Sequence, residues 1–268
     1  MAWLIFASSI AMASILLIPL AKKCEIRAKY ALIMSSIAGI VAGLFVNTVN
    51  LLTERANALF LAGLEFGAIL IVTFLFTVYR FYRDPVRIPP KRDNIILSPA
   101  DGTIKYVKRI EKSEVPLSSK GKSKFSLQEL TRTDLTANEA WLIGITMTYI
   151  DIHINRSPIK GRVTLVKHIG GKFVSLKRNY APILNERATM VIDNGLFKVG
   201  VVLIASRLVR RIISYVKEGH SLEIGEKIGK ITFGSQADIV LPALPGLKID
   251  VKQGEQVFAG FSVIARYD

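Results

Sequence analysis

Residues 216–225 read VKEGHSLEIG and residues 251–260 read VKQGEQVFAG, so one ten-residue pattern occurs twice. A second pattern is also repeated, because Ser-Pro-Ala-Asp-Gly at 98–102 matches Ser-Pro-Ile-Lys-Gly at 157–161. In both pairs a turn that contains glycine separates short apolar segments, as in β-hairpins. The repeats therefore predict a mainly β region with a barrel-sandwich-like architecture.

The rest of the C-terminal part has the same character. Beyond residue 90, apolar residues come in short runs rich in Val and Ile that Gly and Pro interrupt, a pattern typical of strands. Residues 198–217 form a long apolar run, and we expect buried or paired strands there. Residues 111–139 are polar, and Ser and Lys cluster at 118–124, which predicts an exposed loop.

Three stretches with almost no charge precede this β region. Residues 2–21 and 30–52 contain no charged side chain, and residues 57–79 contain only Glu65. A helix needs about 20 apolar residues to cross the hydrocarbon core of a bilayer. The sequence therefore predicts two or three transmembrane helices, with a membrane anchor at 1–79 and the β domain at 80–268.

Two features of these stretches lead to packing predictions. Glu65 is costly in hydrocarbon, so we expect it to face another helix or to lie near an interface, without a catalytic role. The pairs Gly39/Gly43 and Gly63/Gly67 have the GxxxG spacing that permits close helix packing. Because small residues are common in membrane spans, we interpret both pairs as ordinary composition.

The β domain is strongly basic. It carries thirty-one Lys and Arg against eighteen Asp and Glu, a surplus of thirteen positive charges. Basic domains bind nucleic acid or anionic lipid, and the apolar N-terminus favours lipid. The single cysteine, Cys24, excludes an internal disulfide and fits a reducing compartment.

Basic residues also predict the orientation in the membrane. Lys22, Lys23, Arg27 and Lys29 lie between the first two apolar stretches, whereas Arg55 is the one basic residue between the second and third. Five more follow the third stretch: Arg80, Arg83, Arg87, Lys91 and Arg92. Because loops on the cytoplasmic side carry the excess of Lys and Arg, we expect an inner-membrane protein whose β domain is cytoplasmic.

Three segments contain candidate chemistry, and each has an ordinary structural interpretation. Asp101-Gly102 is a turn signal that fits an Asx-type hairpin turn. Gly234-Ser235, within the segment ITFGSQADIVLP at 231–242, is most simply a turn before a strand. The third segment, YIDIHINRSP at 149–158, alternates isoleucines with polar residues. Alternation predicts one strand with Asp151, His153 and Asn155 on a common face, either a solvated edge or the lining of a cavity.

Taken together and in order, the motifs resemble the phosphatidylserine decarboxylase family, in its short bacterial and archaeal-like branch. The resemblance covers residues 81–268. It rests on the three segments above and on two more, Phe81-Tyr-Arg-Asp-Pro85 and Asn185-Glu-Arg187. Several ordered motifs are far more specific than any one of them.

The resemblance implies a self-cleaving enzyme. The proenzyme is cut between Gly234 and Ser235 into a large chain, which retains residues 80–234 of the β domain, and a small chain, 235–268. Ser235 becomes a pyruvoyl group, a covalently bound form of pyruvate, and the two chains stay together. The implied reaction converts phosphatidylserine to phosphatidylethanolamine and CO2, so the expected partners are the phospholipid substrate and an anionic membrane.

The resemblance also implies roles for other residues. Asp101 and His153 serve proton transfer, and His153 is expected to act as base or acid near pH 7. Other branches carry a second histidine where this chain has Arg156, which leaves the base for self-cleavage open. We expect Arg156 to contact the phosphate or carboxylate of the lipid. His168 and His220 are interpreted as exposed turn residues, and no cluster has the spacing of a metal site.

Two other classes of protein share some of these features. A membrane-anchored, non-catalytic barrel-sandwich adaptor, similar to biotinyl and lipoyl carriers, would have the same repeats, although this chain lacks their modifiable lysine at a hairpin tip. A nucleic-acid-binding protein is disfavoured because aromatic residues do not alternate with the basic ones. The sequence leaves open a diacyl or an ether-lipid substrate, the acyl chain preference and whether the chain forms a homo-oligomer.

Overall fold

The computed structural model describes residues 2–53, 57–111, 114–116, 124–133, 139–178, 180–206, 211–232 and 236–268. They divide into two units. One contains the N-terminal residues up to Arg83 together with Thr148–Ile150. The other contains Asp84–Met147 and Asp151–Asp268.

The first unit is built from three long helices, α1 (Ala2–Lys23), α2 (Ala28–Leu52) and α3 (Ala58–Tyr82). Each is long and apolar enough to cross a membrane, with mean hydropathy of 2.3, 2.0 and 2.3 over its most apolar window. Three such helices are present, the larger of the two predicted numbers. The apolar sequence favours helices here, because an α-helix satisfies its backbone hydrogen bonds within its own segment and hydrocarbon offers no other partners.

The two GxxxG pairs behave differently. A methyl group on Gly39 would lie 2.7 Å from the Ile10 backbone, and one on Gly43 would lie 2.8 Å from the Phe6 ring. Our interpretation as ordinary composition is therefore wrong for this pair, because the absence of side chains lets α1 approach α2 closely. At Gly63 and Gly67 a methyl group would contact nothing within 4 Å.

Glu65 faces another helix, as predicted. Its side chain is buried, and its Oε1 accepts a hydrogen bond of 2.7 Å from the Ser8 hydroxyl of α1. A polar partner offsets part of the cost of placing a carboxyl group among apolar helices.

The second unit is mainly β, as predicted. Within the described residues it contains two short helices, α4 (Leu127–Thr131) and α5 (Ala181–Leu184), and sixteen strands. The strands are β1 (Ile95–Leu97), β2 (Gly102–Ile110), β3 (Glu114–Pro116), β4 (Lys124–Ser126), β5 (Ala140–Thr146), β6 (Ile154–Arg156), β7 (Gly161–Ile169), β8 (Arg187–Asp193), β9 (Lys198–Ile204), β10 (Ile212–Ser214), β11 (Ser221–Leu222), β12 (Lys227–Ile231), β13 (Gln236–Pro242), β14 (Lys248–Ile249), β15 (Gln256–Val257) and β16 (Val263–Arg266).

Strand pairing forms one large antiparallel half-barrel sheet and smaller sheets beside it. The large sheet has the order β11-β7-β8-β9-β13-β5-β2-β15, and two three-stranded sheets have the orders β1-β16-β14 and β10-β12-β6. Alternating apolar residues give the large sheet two buried faces. Ala237, Ile239 and Leu241 of β13 join the main core on one face, and Val240 joins a second core with Leu127 and Leu130 on the other.

The repeats in the sequence are related by an internal two-fold pseudosymmetry. Half A consists of β1, β2, β5 and β13–β16, and half B, inserted within it, consists of β6–β12. In the large sheet, the half B strands β11-β7-β8-β9 run inward from one edge, and the equivalent half A strands β15-β2-β5-β13 run inward from the other edge. Equivalent backbone hydrogen bonds have equivalent lengths: Gly225 N–H to Ser157 O and Gly260 N–H to Ser98 O are both 2.9 Å, and Gly219 N–H to Val163 O and Gly254 N–H to Ile104 O are 2.7 and 2.8 Å.

Glycine is required at one pair of equivalent positions. A methyl group on Gly102 would lie 2.3 Å from the Thr146 carbonyl oxygen, and one on Gly161 would lie 2.4 Å from the Asp193 carbonyl oxygen. Gly102 also has a φ of 146°, which L side chains rarely adopt. These contacts explain why both halves have glycine at the end of the Ser-Pro-x-x-Gly motif.

Two further predictions have a mixed outcome. The apolar run at 198–217 does form strands, β9 and β10, with 207–210 outside the described residues. The polar stretch 111–139 contains the β3–β4 pair and α4 as well as loop, because Ser126 and Glu129 form a capping box that starts a helix. Most of the predicted exposed loop at 118–124 lies outside the described residues.

Candidate active site

Two connections carry the chain between the halves, and both contain residues that the sequence analysis selected. The first, 147–153, runs from β5 to β6 and contains His153. The second, 232–235, runs from β12 to β13 and contains Gly234-Ser235. The Ile231 N–H donates a hydrogen bond of 3.1 Å to the His153 carbonyl. The His153 backbone is thus bonded to the strand end that leads into the second connection.

Gly234 and Ser235 lie outside the described residues, together with Phe233. The residues on either side are held by hydrogen bonds. Thr232 donates to the Arg211 carbonyl from its N–H, at 3.3 Å, and from its hydroxyl, at 3.0 Å. Gln236 opens β13, which pairs on one side with β5 and on the other with β9. Both ends of the connection are therefore anchored in the β domain.

His153 is fully buried, and its ring is oriented by its own loop. Its Nδ1 lies 2.9 Å from the Asp151 carbonyl oxygen. A carbonyl only accepts, so Nδ1 carries the proton and Nε2 carries the lone pair of a neutral imidazole. Burial, aided by the positive charge of Lys230, lowers the pKa of His153 to about 4, although the Asp151 hydrogen bond opposes this. His153 is therefore neutral at pH 7, with the lone pair on Nε2.

The predicted strand around His153 is wrong in its extent. The sequence predicts alternation through 149–155, but the chain turns at 149–150, bends at Asp151 and enters β6 only at Ile154. Asp151 and His153 close a local hydrogen bond that an extended strand does not allow. His153 and Asn155 are buried, as are Ile152 and Ile154, so the segment has no solvated edge.

Asp101 is buried in an ion pair at the start of β2. Its Oδ2 accepts a hydrogen bond of 2.7 Å from Arg87 Nη2, its Oδ1 accepts one from Arg87 Nη1, and Oδ1 also accepts one of 2.8 Å from the Ala259 N–H. The turn before it contacts β6, because the Arg156 N–H donates to the Pro99 carbonyl at 2.9 Å. The fold thus brings the Asp101 turn to the strand that follows His153.

Arg156 is nearly buried, and its guanidinium binds protein groups. Nη1 donates to the Gly225 carbonyl at 2.9 Å, and Nη2 donates to the Pro85 carbonyl at 3.3 Å. Nη2 also lies 3.5 Å from Asp84 Oδ1. Asp84 in turn pairs with Lys227. These contacts join the segment that enters the β domain to the β11–β12 turn.

A comparison with protein families agrees with the motifs. The sequence model described as "Phosphatidylserine decarboxylase" matches residues 74–265, which include both connections, Asp101 and Arg156. The match covers well over half of the chain. The chain belongs to the phosphatidylserine decarboxylase family.

Individual relatives are similar over most of their length. A protein of Methanocaldococcus jannaschii assigned as an archaetidylserine decarboxylase proenzyme is 42% identical over 202 residues, which are 75% of this chain and 95% of the relative. One of Methanothermobacter thermautotrophicus with the same assignment is 35% identical over 223 residues, 82% of this chain and 93% of the relative. A phosphatidylserine decarboxylase proenzyme of Xanthobacter autotrophicus is 35% identical over 184 residues, 69% and 71% of the two chains.

This decarboxylase-family chain has a buried polar network that sequence reasoning missed. Gln236 follows Ser235 directly, and its Nε2 donates to Asp238 Oδ1 at 2.7 Å and to the Tyr106 hydroxyl at 2.9 Å. The Tyr106 hydroxyl donates to Asp238 Oδ2 at 2.7 Å, and Lys105 Nζ donates to Gln236 Oε1 at 3.0 Å. Burial raises the pKa of Asp238 to about 6, against the opposing effect of these hydrogen bonds. A carboxylate inside the apolar segment ADIVLP was the available signal.

The Asn185-Glu-Arg187 motif of the family has a structural role here. The Asn185 side-chain amide bonds the Val174 and Ala205 carbonyls at 2.7 and 2.8 Å. Arg187 is buried, and its guanidinium donates to four carbonyls, those of Leu130, Ile183, Asn185 and Glu129, at 2.7 to 3.1 Å. The motif therefore ties α4, α5 and their loops to the large sheet.

The other two histidines lie at the surface. His168 is half-exposed at the end of β7, rather than in a turn as predicted, with its Nε2 3.1 Å from Glu186. His220 is a half-exposed turn residue, as predicted, with Glu226 at 3.8 Å. Among the residues that the structure describes, no group of three or more His, Cys, Asp or Glu is placed to hold a metal ion.

Proposed function

We propose that this proenzyme cuts its own chain between Gly234 and Ser235, converts Ser235 to a pyruvoyl group and removes CO2 from a phospholipid with a serine headgroup. The hydrogen bond between Ile231 and the His153 carbonyl, at 3.1 Å, carries the proposal. It joins the connection that bears a buried neutral histidine to the start of the connection that bears the cleavage peptide. The family match supports the same chemistry.

Self-cleavage begins at the Ser235 hydroxyl. Its oxygen attacks the carbonyl carbon of Gly234, a residue without a side chain of its own, and an ester replaces the amide as the C–N bond breaks and the Ser235 nitrogen becomes a free amine. His153 Nε2 accepts the hydroxyl proton. Elimination then removes the Ser235 Cα proton and breaks the Cβ–O bond, which leaves a carboxylate on residues 1–234. Addition of one water to the remaining dehydroalanine releases ammonia and leaves the pyruvoyl group on 235–268.

In decarboxylation, the pyruvoyl carbonyl supplies the electron acceptor for the bond that breaks. The carbon that loses CO2 must then gain a proton, and we assign the donor as His153 through Nε2. Burial keeps His153 neutral in the free enzyme, with a pKa of about 4. A headgroup with a phosphate and a carboxylate brings negative charge, which raises the pKa of a nearby histidine. Substrate binding thereby favours the protonated donor.

Asp101 acts, in this proposal, mainly by positioning. Both of its oxygens accept charge-assisted hydrogen bonds from Arg87, which fix the carboxylate and the guanidinium against each other. The predicted role of Asp101 in proton transfer remains the alternative. The two differ in outcome, because loss of a positioning residue lowers stability together with activity, whereas loss of a proton-transfer residue lowers activity alone.

Arg156 also has two possible roles, one structural and one in binding the lipid. Its bonds to Gly225, Pro85 and Asp84 support a role in holding the entry to the β domain. The predicted contact with lipid phosphate requires the guanidinium to exchange at least one of these bonds for the ligand. Arg156→Lys, which keeps the charge and loses the fork of donors, should raise KM for the lipid if that contact forms.

The substrate class follows from the relatives, two assigned to archaetidylserine and one to phosphatidylserine. The serine headgroup is common to both lipids, which differ in the hydrophobic part. Turnover of a diacyl and an ether-linked serine phospholipid in matched vesicles distinguishes them. Equal kcat/KM values would indicate that the headgroup alone is recognised.

We also propose that the β domain is cytoplasmic. Arg80, Arg83, Arg87, Lys91 and Arg92 follow α3, and cytoplasmic flanks are enriched in such residues. Protease added to right-side-out vesicles should leave the 118–124 segment intact and should cut it once the vesicles are opened. Cleavage in sealed vesicles would reverse the orientation.

The intact mass of the purified chain tests the central proposal. A self-cleaving enzyme yields a small fragment that begins at residue 235 with a keto oxygen in place of the serine amine and a methyl group in place of the hydroxymethyl group. A non-catalytic adaptor stays at full length. Reduction with borohydride in the presence of the serine phospholipid should add the lipid to the small fragment.

A further inference from the structure

An open apolar groove lies where the chain enters the β domain. It has a volume of about 380 Å³, and Pro85, Val86, Ile88, Phe258 and Phe261 supply its apolar lining. Val86 is 92% exposed, Ile88 75%, Phe261 55% and Phe258 40%. A contiguous group of large exposed apolar side chains marks a site of interaction.

Buried charges hold the two sides of the groove together. Arg87 Nη1 donates to the Ala259 carbonyl at 2.6 Å, and Arg87 Nη2 donates to Asp101 at 2.7 Å. The Ala259 N–H donates to Asp101 as well, at 2.8 Å, and the Arg87 guanidinium lies 5.9 Å from the centre of the Phe258 ring. Two segments far apart in sequence, 85–88 and 258–261, are thus fixed side by side with their apolar side chains outward.

The internal symmetry supplies a comparison for this surface. Phe258 and Phe261 occupy positions 8 and 11 counted from Val251, and Glu223 and Glu226 occupy the same positions counted from Val216. Both hairpins have the same backbone hydrogen bonds, so the fold does not require aromatic residues there. One copy presents carboxylates to water and the other presents aromatic rings, which indicates that the second copy has an apolar partner.

The covalent chain identifies that partner as the bilayer. Helix α3 ends at Tyr82, and Val86 follows four residues later. At a maximum of about 3.6 Å per residue, Val86 lies within about 15 Å of the helix end. Tyr79 and Tyr82 are exposed on that last turn, as in the aromatic belts at membrane interfaces. The exposed Lys91 and Arg92 follow the groove segment and suit anionic headgroups.

We propose that the groove formed by Pro85, Val86, Ile88, Phe258 and Phe261 is a membrane-docking surface, which inserts into the bilayer interface on the side where α3 ends. Its function is to hold the β domain at the level of the lipid headgroups. Asp101 contributes to this surface through Arg87. The proposal concerns the position of the domain and is independent of the reaction that the domain performs.

Spin labels test the docking directly in the full-length chain. In a Cys24→Ser background, Val86→Cys and Phe261→Cys carry a nitroxide, and the protein is reconstituted in vesicles with one-third anionic lipid. The matched control is Glu223→Cys, on the equivalent hairpin. We expect both groove labels to be relaxed more by oxygen, which concentrates in the bilayer, and the control label to be relaxed more by a water-soluble nickel chelate.

Two results would overturn the proposal. One is an aqueous accessibility at Val86 and Phe261 equal to that at Glu223. The other is dipolar broadening between labels at position 261, which would make a second copy of the chain the occupant. Because Val86 is almost fully exposed, its substitution keeps the test valid if Phe261→Cys fails to fold.

Activity supplies a second measurement. The double variant Phe258→Ser/Phe261→Ser should lose about tenfold in kcat/KM on lipid in vesicles and keep turnover of a short-chain, monomeric serine phospholipid. A double variant of the equivalent pair, Glu223→Ser/Glu226→Ser, should retain both. Equal losses on the two substrates would overturn docking as the reason for the aromatic pair. The spin-label result stands even if the chain has another substrate.

Discussion

The two halves of the β domain have one backbone plan and different chemistry. The Ser-Pro-x-x-Gly turns, the hairpins and the strand order recur in both halves. Where half A has the buried acid Asp101, half B has the exposed Lys160, which pairs with Glu223 at 2.9 Å. Where half A has Phe258, half B has Glu223. The side chains that build the core and the turns are constrained in both halves, whereas the candidate functional side chains occur in only one half.

The connections between the halves show the same difference. Each runs from a strand of the large sheet to a strand of a neighbouring sheet, or back. The 147–153 connection contains the proposed base, and the 232–235 connection contains the proposed nucleophile. The proposed functional residues therefore lie where the symmetry is broken, and each of the following predictions compares two residues of the β domain.

The largest effect is expected at Ser235. Ser235→Ala removes the attacking oxygen, so we expect one full-length chain and complete loss of decarboxylation. Denaturing electrophoresis and intact mass measure the cleavage. Ser221→Ala, at an exposed hydroxyl on the hairpin of half B, should be cut normally. Cleavage of Ser235→Ala at the same bond would show that Ser235 is not the nucleophile.

The next largest effect is expected at His153. His153→Ala should lower the decarboxylation rate by about 10² or more, the usual scale of acid–base catalysis. Since we propose that His153 also accepts a proton in self-cleavage, the rate is measured only on molecules that mass spectrometry shows to be processed. His168→Ala, at a half-exposed histidine, should change the rate by less than about twofold. A processed His153→Ala enzyme with normal turnover would remove His153 from the mechanism.

Asp101 and Lys160 test the equivalent turns of the two halves. Asp101→Asn leaves the Arg87 guanidinium buried without a counter-charge, so the free energy of unfolding should fall by about 3 kcal/mol. Lys160→Met breaks an exposed pair and should change it by less than about 0.5 kcal/mol. Thermal unfolding in detergent measures both. An Asp101→Asn enzyme with normal stability and no activity would favour proton transfer over positioning.

The smallest effect concerns two buried groups whose pKa values are shifted in opposite directions. His153 has a folded pKa of about 4 against 6.5 unfolded, so its contribution to stability grows as pH rises from 4 to 6.5. Asp238 has a folded pKa of about 6 against 3.8 unfolded. The folded state binds the Asp238 proton more tightly than the unfolded state does, so the contribution of Asp238 to stability is lost as pH rises from 3.8 to 6.

Removing either group should leave only the pH dependence of stability that the other group causes. Relative to the parent chain, Asp238→Asn should make the unfolding temperature rise more steeply between pH 4.5 and 6, and His153→Gln should make it rise less. Each unit of pKa shift corresponds to about 1.4 kcal/mol. Each substitution should therefore change the free energy of unfolding across this pH range by between about 1 and 3 kcal/mol. Parallel curves for the three proteins would contradict the opposed shifts.

Much of the architecture was predictable because it depends on local patterns. Apolar stretches of sufficient length predicted the three helices, since hydrocarbon admits no unpaired backbone groups. The repeated glycine turns predicted the barrel-sandwich-like domain, since close backbone approach excludes a side chain at Gly102 and Gly161. The close packing at Gly39 and Gly43 was not predictable, because a small residue does not reveal whether a neighbour lies against it.

The order of the motifs along the sequence determined which family this protein resembles and which residues are candidates for its active site. Only the tertiary structure decided what surrounds them: it gave Asp101 an arginine partner, engaged Arg156 with carbonyls, made His153 neutral and placed Asp238 in a buried network. Burial and pairing determine pKa values and hydrogen bonds, and both depend on residues distant in sequence. A sequence therefore specifies the chemical groups, whereas their protonation and partners follow from the fold.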